Sequence, residues 1–363
     1  VSVVAGPLIR TENCLVGWIE EPVFRGTGTE IPDKRFGLHE TVSAPDPTMD
    51  WYPFYGVGSS RNRQTILRGK WMLNGSIPDI RLRSSDPIGK LLAMGFGRFD
   101  GTNVLEGLKD NGNGTSDERI PSFTMQIAMR DTDGAYPLIR NWEGGKINRL
   151  TLSAAEGEEL RLNLDEMLFA NMAHNIEGVS KSGSPHLMND PGAGAGGRYV
   201  FAGAEMKVFG VTILRIRRFA LTLDNQIEPR YYLAKVDPNG AMTQVPTEFV
   251  EGKRKYVLTI DMDVADPSTD LTLFKFFMNE GAQGGGIGGT SGPTIGGQVI
   301  AKFNQTPGEG GGSITITCGG LSPSPVQPAG VVTAGKINVP APPTGFFPST
   351  WQLDVDSTHI TII

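Results

Sequence analysis

The chain offers little reactive chemistry, and what it offers is scattered. Its four histidines, His39, His174, His186 and His359, lie far apart with no ligand-like spacing. A zinc centre needs three or four convergent ligands, so these read as structural or solvated side chains. Carboxylates come in pairs: Glu20 and Glu21, Glu158 and Glu159, Asp165 and Glu166, Asp261 and Asp263, Asp354 and Asp356. Glycoside hydrolysis needs two carboxyl groups facing one another across a cleft. Pairs adjacent or two apart in sequence are more simply turn residues or the polar face of a strand. No Gly-x-Ser-x-Gly elbow is present. The run Gly284 to Gly297 lacks the Gly-Lys-Ser/Thr ending of a phosphate loop, and no βαβ pattern surrounds it. Nothing in these motifs calls for a catalytic site, a metal or a cofactor. The residues with most to say are Arg215, Arg217 and Arg218, set among Val211, Ile213, Ile216 and Phe219. Guanidinium groups on a strand either stay solvated or pair bidentately with carboxylates of another chain.

The elements that must carry those arginines are strands. Phe219, Leu221 and Leu223 alternate with Ala220, Thr222 and Asp224, the period-two pattern of a sheet with one buried face. Strands are expected at 64–83 (one or two, with Trp71 and Leu73 on one face), 122–130, 146–154, 160–169, 253–264, 298–303, 313–318 and 351–363. Glu156-Gly157-Glu158 is expected to turn 146–154 into 160–169. The best helix runs from Asp86 to Gly95, with Ser85 or Asp86 as N-cap, Pro87 at the first helical position and Ile88, Leu91, Leu92 and Met94 as its apolar stripe. A second short helix is expected over 270–279. Residues 109–118 and 180–197 read as loops, the latter without core residues.

The totals fit that picture. Of 363 residues, 39% are hydrophobic, enough for a core, and 48 glycines with 25 prolines mark a turn-rich, mainly β chain. A net charge of −6 is not a nucleic-acid-binding footprint, and an acidic surface repels phosphate. Cys14 and Cys318 make no disulfide framework and read as reduced thiols of a cytoplasmic chain. No apolar run is long enough for a membrane helix, and the opening ten residues are too short for a signal peptide.

The chain is expected to form a single domain, 1–363, in three parts. Residues 1–63 read as a mostly irregular N-terminal arm whose aromatics, among them Trp18, Trp51 and Tyr55, dock on a neighbour. Residues 64–280 read as the core β-domain. Residues 281–363 read as Gly/Pro-rich loops with closing C-terminal strands.

Several segments resemble the tail tube proteins (major tail proteins) of siphophages. They are Trp18-Ile19-Glu20-Glu21-Pro22 followed by Gly26-Thr27, the helix Asp86 to Gly95, and Lys146 to Met167 with its acidic turn. Phe201 to Leu233 continues the likeness, ending in Leu223-Asp224-Asn225 and Tyr231-Tyr232, and so does Glu251 to Asp266. The likeness spans roughly 10–280 and departs in the aromatic N-terminal stretch and the tail after Gly281. It implies a β-sandwich or barrel-like domain flanked by one short helix. Six copies would form a ring, rings would stack into a tube, and strands of all copies would join one inner barrel. The partners would be the chain itself and other phage tail proteins at the tube ends. Phage DNA would pass through without specific binding, and the protein would assemble in the host cytoplasm and reside in the virion tail. Arg215, Arg217, Arg218, Trp18, Trp51 and Tyr55 are the expected inter-subunit residues. Ser43 to Arg63 or Ser180 to Gly197 would be the ring-stacking loop. The alternative is a carbohydrate- or receptor-binding virion protein using the N-terminal aromatics as a platform.

Overall fold

The computed structural model describes residues 14–22, 24, 31–54, 65–106, 109–110, 116–117, 120–131, 136–176, 187–188, 196–208, 211–213, 215–231, 245–264, 298–306, 311–318, 330–337, 347–355 and 358–363. From the N-terminus run β1 (Leu15–Glu20), β2 (Pro47–Phe54) and the long β3 (Thr65–Arg81), then α1 (Ile88–Phe96). Next come β4 (Gly97–Phe99), β5 (Asn103–Glu106), a small hairpin of β6 (Lys109–Asp110) and β7 (Ser116–Asp117), and β8 (Phe123–Met129). The 18-residue β9 (Leu138–Ala155) is followed by β10 (Arg161–Phe169), β11 (Asn171–Ile176), β12 (Tyr199–Val208), β13 (Val211–Ile213) and β14 (Ile216–Asp224). A hairpin of β15 (Glu228–Arg230) and β16 (Glu248–Val250) leads to β17 (Lys255–Val264). The chain closes with β18 (Val299–Gln305), β19 (Ser313–Cys318), β20 (Gly330–Ile337), β21 (Phe347–Val355) and β22 (Thr358–Ile362).

The protein is mainly β, with antiparallel pairing throughout the described ladders. One sheet follows the path β2-β3-β10-β9-β14-β17-β21-β20, and β8, β1 and β11 join it through the other half of β9. A second sheet runs β13-β12-β18-β19-β22-β5-β4. β9 serves two neighbourhoods because it changes partners midway. Residues 138–143 pair with β11, and 146–153 pair with β10. Gly144 and Gly145 sit at the changeover. Gly144 has φ 65°, and a Cβ on Gly145 would lie 2.7 Å from the Phe123 carbonyl oxygen and 2.6 Å from the Phe169 ring. Only glycine allows that close approach.

One core joins both sheets and the helix. The expected alternation in β14 holds: Phe219, Leu221 and Leu223 are fully buried. Phe219 meets Phe303 of β18 edge-on, ring centroids 5.6 Å apart, tying sheet to sheet. α1 buries every residue but Lys90. It lies against Leu150 at Gly95, and Phe96 stacks on Tyr256 at 6.2 Å. A nine-residue helix is marginal alone, so this burial is what holds it. Pro87 is its N-cap rather than its first helical residue, with no side-chain cap bond.

Asn225 locks the helix to the sheet. Its side-chain amide donates to the Gly95 carbonyl at 3.1 Å and to the Ile147 carbonyl at 2.9 Å, and its backbone N–H donates to the Asn148 carbonyl. A second lock is the pair of buried Lys146 Nζ and half-buried Glu251 Oε1 at 2.5 Å, with Glu251 also accepting from the Ile120 N–H.

Several expectations need correction. The N-terminal stretch carries two strands where it is described, with irregular chain between them. β1 pairs with β8, and β2 pairs with β3. Trp18 and Phe36 are core residues, and Glu21 is buried, accepting from the Thr124 hydroxyl and the Gly144 N–H. The Pro-rich region contains β20, and 351–363 divides between the two sheets as the end of β21 and all of β22. The loop 180–197 does carry a core residue, since Met188 is buried and its N–H donates to Gln126. The expected helix at 270–279 and the glycine run lie outside the described residues.

Candidate functional site

The three arginines come together where the large sheet meets the second one. β14 enters through Arg215, and a bulge between Ile216 and Arg218 breaks its register with β17. The bulge breaks the alternation, leaving Arg215, Arg217 and Arg218 exposed while Ile216 turns inward. Backbone bonds fix the corner: Glu156 N–H donates to the Arg217 carbonyl at 2.9 Å, and Asp263 N–H to the Arg215 carbonyl at 3.0 Å. Arg217 Nη1 lies 3.7 Å from Asp263 Oδ1, and 58% of its side chain stays exposed. Arg218 stands opposite Asp261 in the register.

Two depressions open at this corner and share Glu156 and Arg217. One, about 430 Å³, has an apolar floor of Phe201, Met206, Ile213 and Phe303 under a rim of Arg215, Arg217, Glu205 and Asp263. It exists because β12 is irregular between Val200 and Glu205, with Gly203 at φ 86°. The other, about 490 Å³, lies over Arg217, Arg218, Asp261 and Ser349. Both signs of charge rim one surface, the pattern of a protein interface with an apolar centre and polar border.

The other expected interface residues separate. Trp18 is fully buried, tilted against Phe36 at 6.1 Å, with its indole N–H on the Arg35 carbonyl. It has no surface to offer a neighbour, and neither does Phe36, which removes both from any glycan platform. Trp51 lies on β2, an end strand of the large sheet. Tyr55 lies outside the described residues. Of the expected stacking loops, Ser43 pairs with Ser76 and the Pro45 carbonyl accepts from the Trp142 indole, so 43–54 is tied to the sheet.

Among the described residues, the ionisable groups with shifted pKa values lie away from this corner. Burial pushes the Cys14 thiol up and the His39 imidazole down. Burial also raises Asp86 and Tyr199. Asp100 is lowered to about 2 by N–H donors from Asn103 and Thr102. Among the described residues no three His, Cys, Asp or Glu side chains are grouped to hold a metal ion, and no helix is long and apolar enough to cross a membrane.

What sequence reasoning missed were the ends of the large sheet. Among the described residues β2 and β20 each pair on one side only. By contrast, the outer edge of β1 is met by Lys34, which exchanges backbone bonds with Trp18.

The model of the phage tail tube protein family matches residues 57–322, most of the chain. No curated protein matches it. The chain therefore belongs to the phage tail tube protein family and is a structural component of a phage tail.

Proposed function

We propose that this tail tube protein closes into hexameric rings by continuing the large sheet from copy to copy, and that stacked rings form the conduit through which the genome passes into the host. The observation that supports this most is the pair of sheet ends left open among the described residues, β2 on one side and β20 on the other. An open edge is a row of unpaired donors and acceptors that favours pairing with another chain. The two ends differ in sequence, so pairing one with the other is head-to-tail, the kind of contact that closes a ring. The arginine corner supplies a second contact, where Arg215, Arg217 and Arg218 meet a neighbouring copy, while Trp51 on β2 and Tyr55 next to it in sequence belong with the sheet-end contact. An acidic chain lets DNA pass because it gives phosphate little to hold.

Negative-stain electron microscopy of the purified chain at high concentration tests the reading. Hollow tubes or stacked rings are expected. A chain that stays monomeric across a range of salt refutes it.

A further inference from the structure

Resting on the tube reading, we infer that the joint between neighbouring copies is an antiparallel ladder of one register, in which Lys336 on β20 of one copy stands opposite Asp50 on β2 of the next. Every neighbour along the path from β2 to β20 is antiparallel, and the path holds an even number of strands, so its two end strands run in opposite directions. Rotation about a ring axis preserves each strand's direction along that axis. β20 therefore meets the next β2 antiparallel, and residues directly opposite one another share a face.

The pleat and the prolines leave one register. β20 shifts register against β21 between Val332 and Ala334, with Thr333 as the extra residue, so its regular stretch is Ala334 to Ile337. The faces follow from β21. Ala334 and Lys336 stand opposite Gln352 and exposed Thr350, at outward positions, while Gly335 and Ile337 stand opposite buried Trp351 and Ser349. On β2, Thr48 stands opposite exposed Met72 and Met49 opposite Trp71, and the shift beyond Met49 adds its extra residue to β3, so the alternation of β2 continues unbroken. Thr48, Asp50 and Tyr52 thus hold outward positions, and Met49 and Trp51 inward ones. Pro47 and Pro53 have no N–H to give a ladder, which leaves Thr48 to Tyr52 between them. Ala334 to Ile337 fits antiparallel against that stretch in two ways. With Ile337 opposite Thr48, each inward position meets an outward one, the mismatch that a one-residue slip always brings. With Ile337 opposite Met49, the faces agree.

This register sets Ile337 against Met49 and Gly335 against Trp51 on the inward side, an apolar pair and an aromatic residue across from a bare glycine. On the outward side it sets Ala334 against Tyr52 and Lys336 against Asp50. Lys336 is the one charged residue of β20 and Asp50 the one charged residue of β2, and their signs are opposite. Proline and pleat alone select the register, yet it brings these two together. Across β21 Lys336 meets Thr350 rather than a carboxylate, and Lys70, in the shifted stretch of β3 beside Asp50, lies over the Tyr231 ring at 5.0 Å. Opposite charges directly across a ladder attract. The pair therefore favours β20 on β2 over β2 on β2 or β20 on β20, which offer only like charges.

The test uses cysteine pairs in a Cys14→Ser chain, where the remaining Cys318 is buried. Lys336→Cys with Asp50→Cys, oxidised after assembly, is expected to give a ladder of covalent oligomers up to the hexamer on a non-reducing denaturing gel, because directly opposed Cα atoms lie within disulfide reach. Ala334→Cys with Tyr52→Cys should do the same. Ala334→Cys with Thr48→Cys, the pair that a parallel joint would oppose, should stay monomeric on the gel. Tubes in which either expected pair fails to cross-link, or in which the Thr48 pair does, overturn the joint and leave the tube reading standing. A parent chain that forms neither tubes nor rings refutes the tube reading, and the joint with it. Where the cysteine pairs block assembly, charge exchange decides. Lys336→Asp and Asp50→Lys should each shift the chain toward monomer in sedimentation velocity, and the two together should restore the assembled fraction; no restoration overturns the joint.

Discussion

Replacing Asn225 isolates the joint between the helix and the large sheet. The residue is fully buried, and its side-chain amide satisfies two carbonyls, Gly95 at the helix end and Ile147 in β9. Asn225→Ala removes both donors and leaves two buried acceptors without them. An orphaned buried acceptor costs about 1–3 kcal/mol, so with partial relaxation the pair should cost about 2–4 kcal/mol. With a urea slope of about 3 kcal/mol/M the midpoint should fall by roughly 0.7–1.3 M, with the slope itself unchanged. The assay is urea unfolding of unassembled chain, followed by tryptophan fluorescence.

Asn225→Asp sharpens the test. The carboxylate would place an oxygen where the amide nitrogen stood, facing two carbonyl oxygens in a buried site. Burial and repulsion then raise its folded-state pKa above the unfolded value of about 3.9. The added penalty is complete above the raised pKa, shrinks as pH falls through it, and is gone below the unfolded value. Asp should therefore be worse than Ala at neutral pH and close the gap on acidification. A midpoint change in the Ala variant equivalent to under about 1 kcal/mol, or an Asp variant parallel to Ala at all pH values, would refute the reasoning, since water would then be serving the two carbonyls.

Arg217→Glu and Arg218→Glu should abolish or weaken tube formation while shifting unfolding by no more than about 1 kcal/mol, because exposed ion pairs contribute little to stability; equal loss of both points to a purely structural role. Lys146→Met should cost about 3–5 kcal/mol by leaving the Glu251 carboxylate without its buried cation, and Glu251→Gln added to it should recover part of that in the same urea assay. Asp100 should titrate with a midpoint near 2 in carbon-detected NMR. Its folded value lies below its unfolded one, so its contribution is present above the unfolded pKa and lost as pH falls through about 2. Asn103→Ala should move that midpoint up by removing its side-chain donor.

The strands that alternate cleanly were readable from residues alone. β14, β17 and β19 lie where Phe219 to Leu223, Leu258 to Met262 and the 313–318 segment place them. The helix was readable from its apolar spacing, although it runs past Gly95 to Phe96 and is capped by Gly97. The first half of β9 was hidden because Gly144-Gly145 interrupts its pattern, and only packing against Phe123 and Phe169 shows that the glycines serve a bend inside a strand. β20 was hidden by the prolines on either side of it. Trp18 was misplaced for the same reason: one short alternating segment, Leu15 to Glu20, stands among Pro- and Gly-rich neighbours, and its ladder partner β8 begins a hundred residues later. Of the corner, the arginines could be named but not their partners, since only strand register brings Asp263 beside Arg217 and Asp261 opposite Arg218.

The composition of the two open ends bears on which contact forms. β2 carries Pro47 and Pro53, and β20, Gly330–Ile337, carries none. Proline has no N–H for a ladder, which is why it is tolerated on edge strands and blunts them. If two β2 strands met about a two-fold axis, both members of the new ladder would contain prolines. If β20 of one copy met β2 of the next, only one member would. Since a two-fold pairing ends growth at a dimer while a head-to-tail pairing continues around a ring, the prolines weigh against the dead end more than against the ring. Pro47→Thr together with Pro53→Thr should accordingly raise the share of dimers in sedimentation velocity at the expense of rings. An unchanged distribution would mean that the prolines do not select the partner.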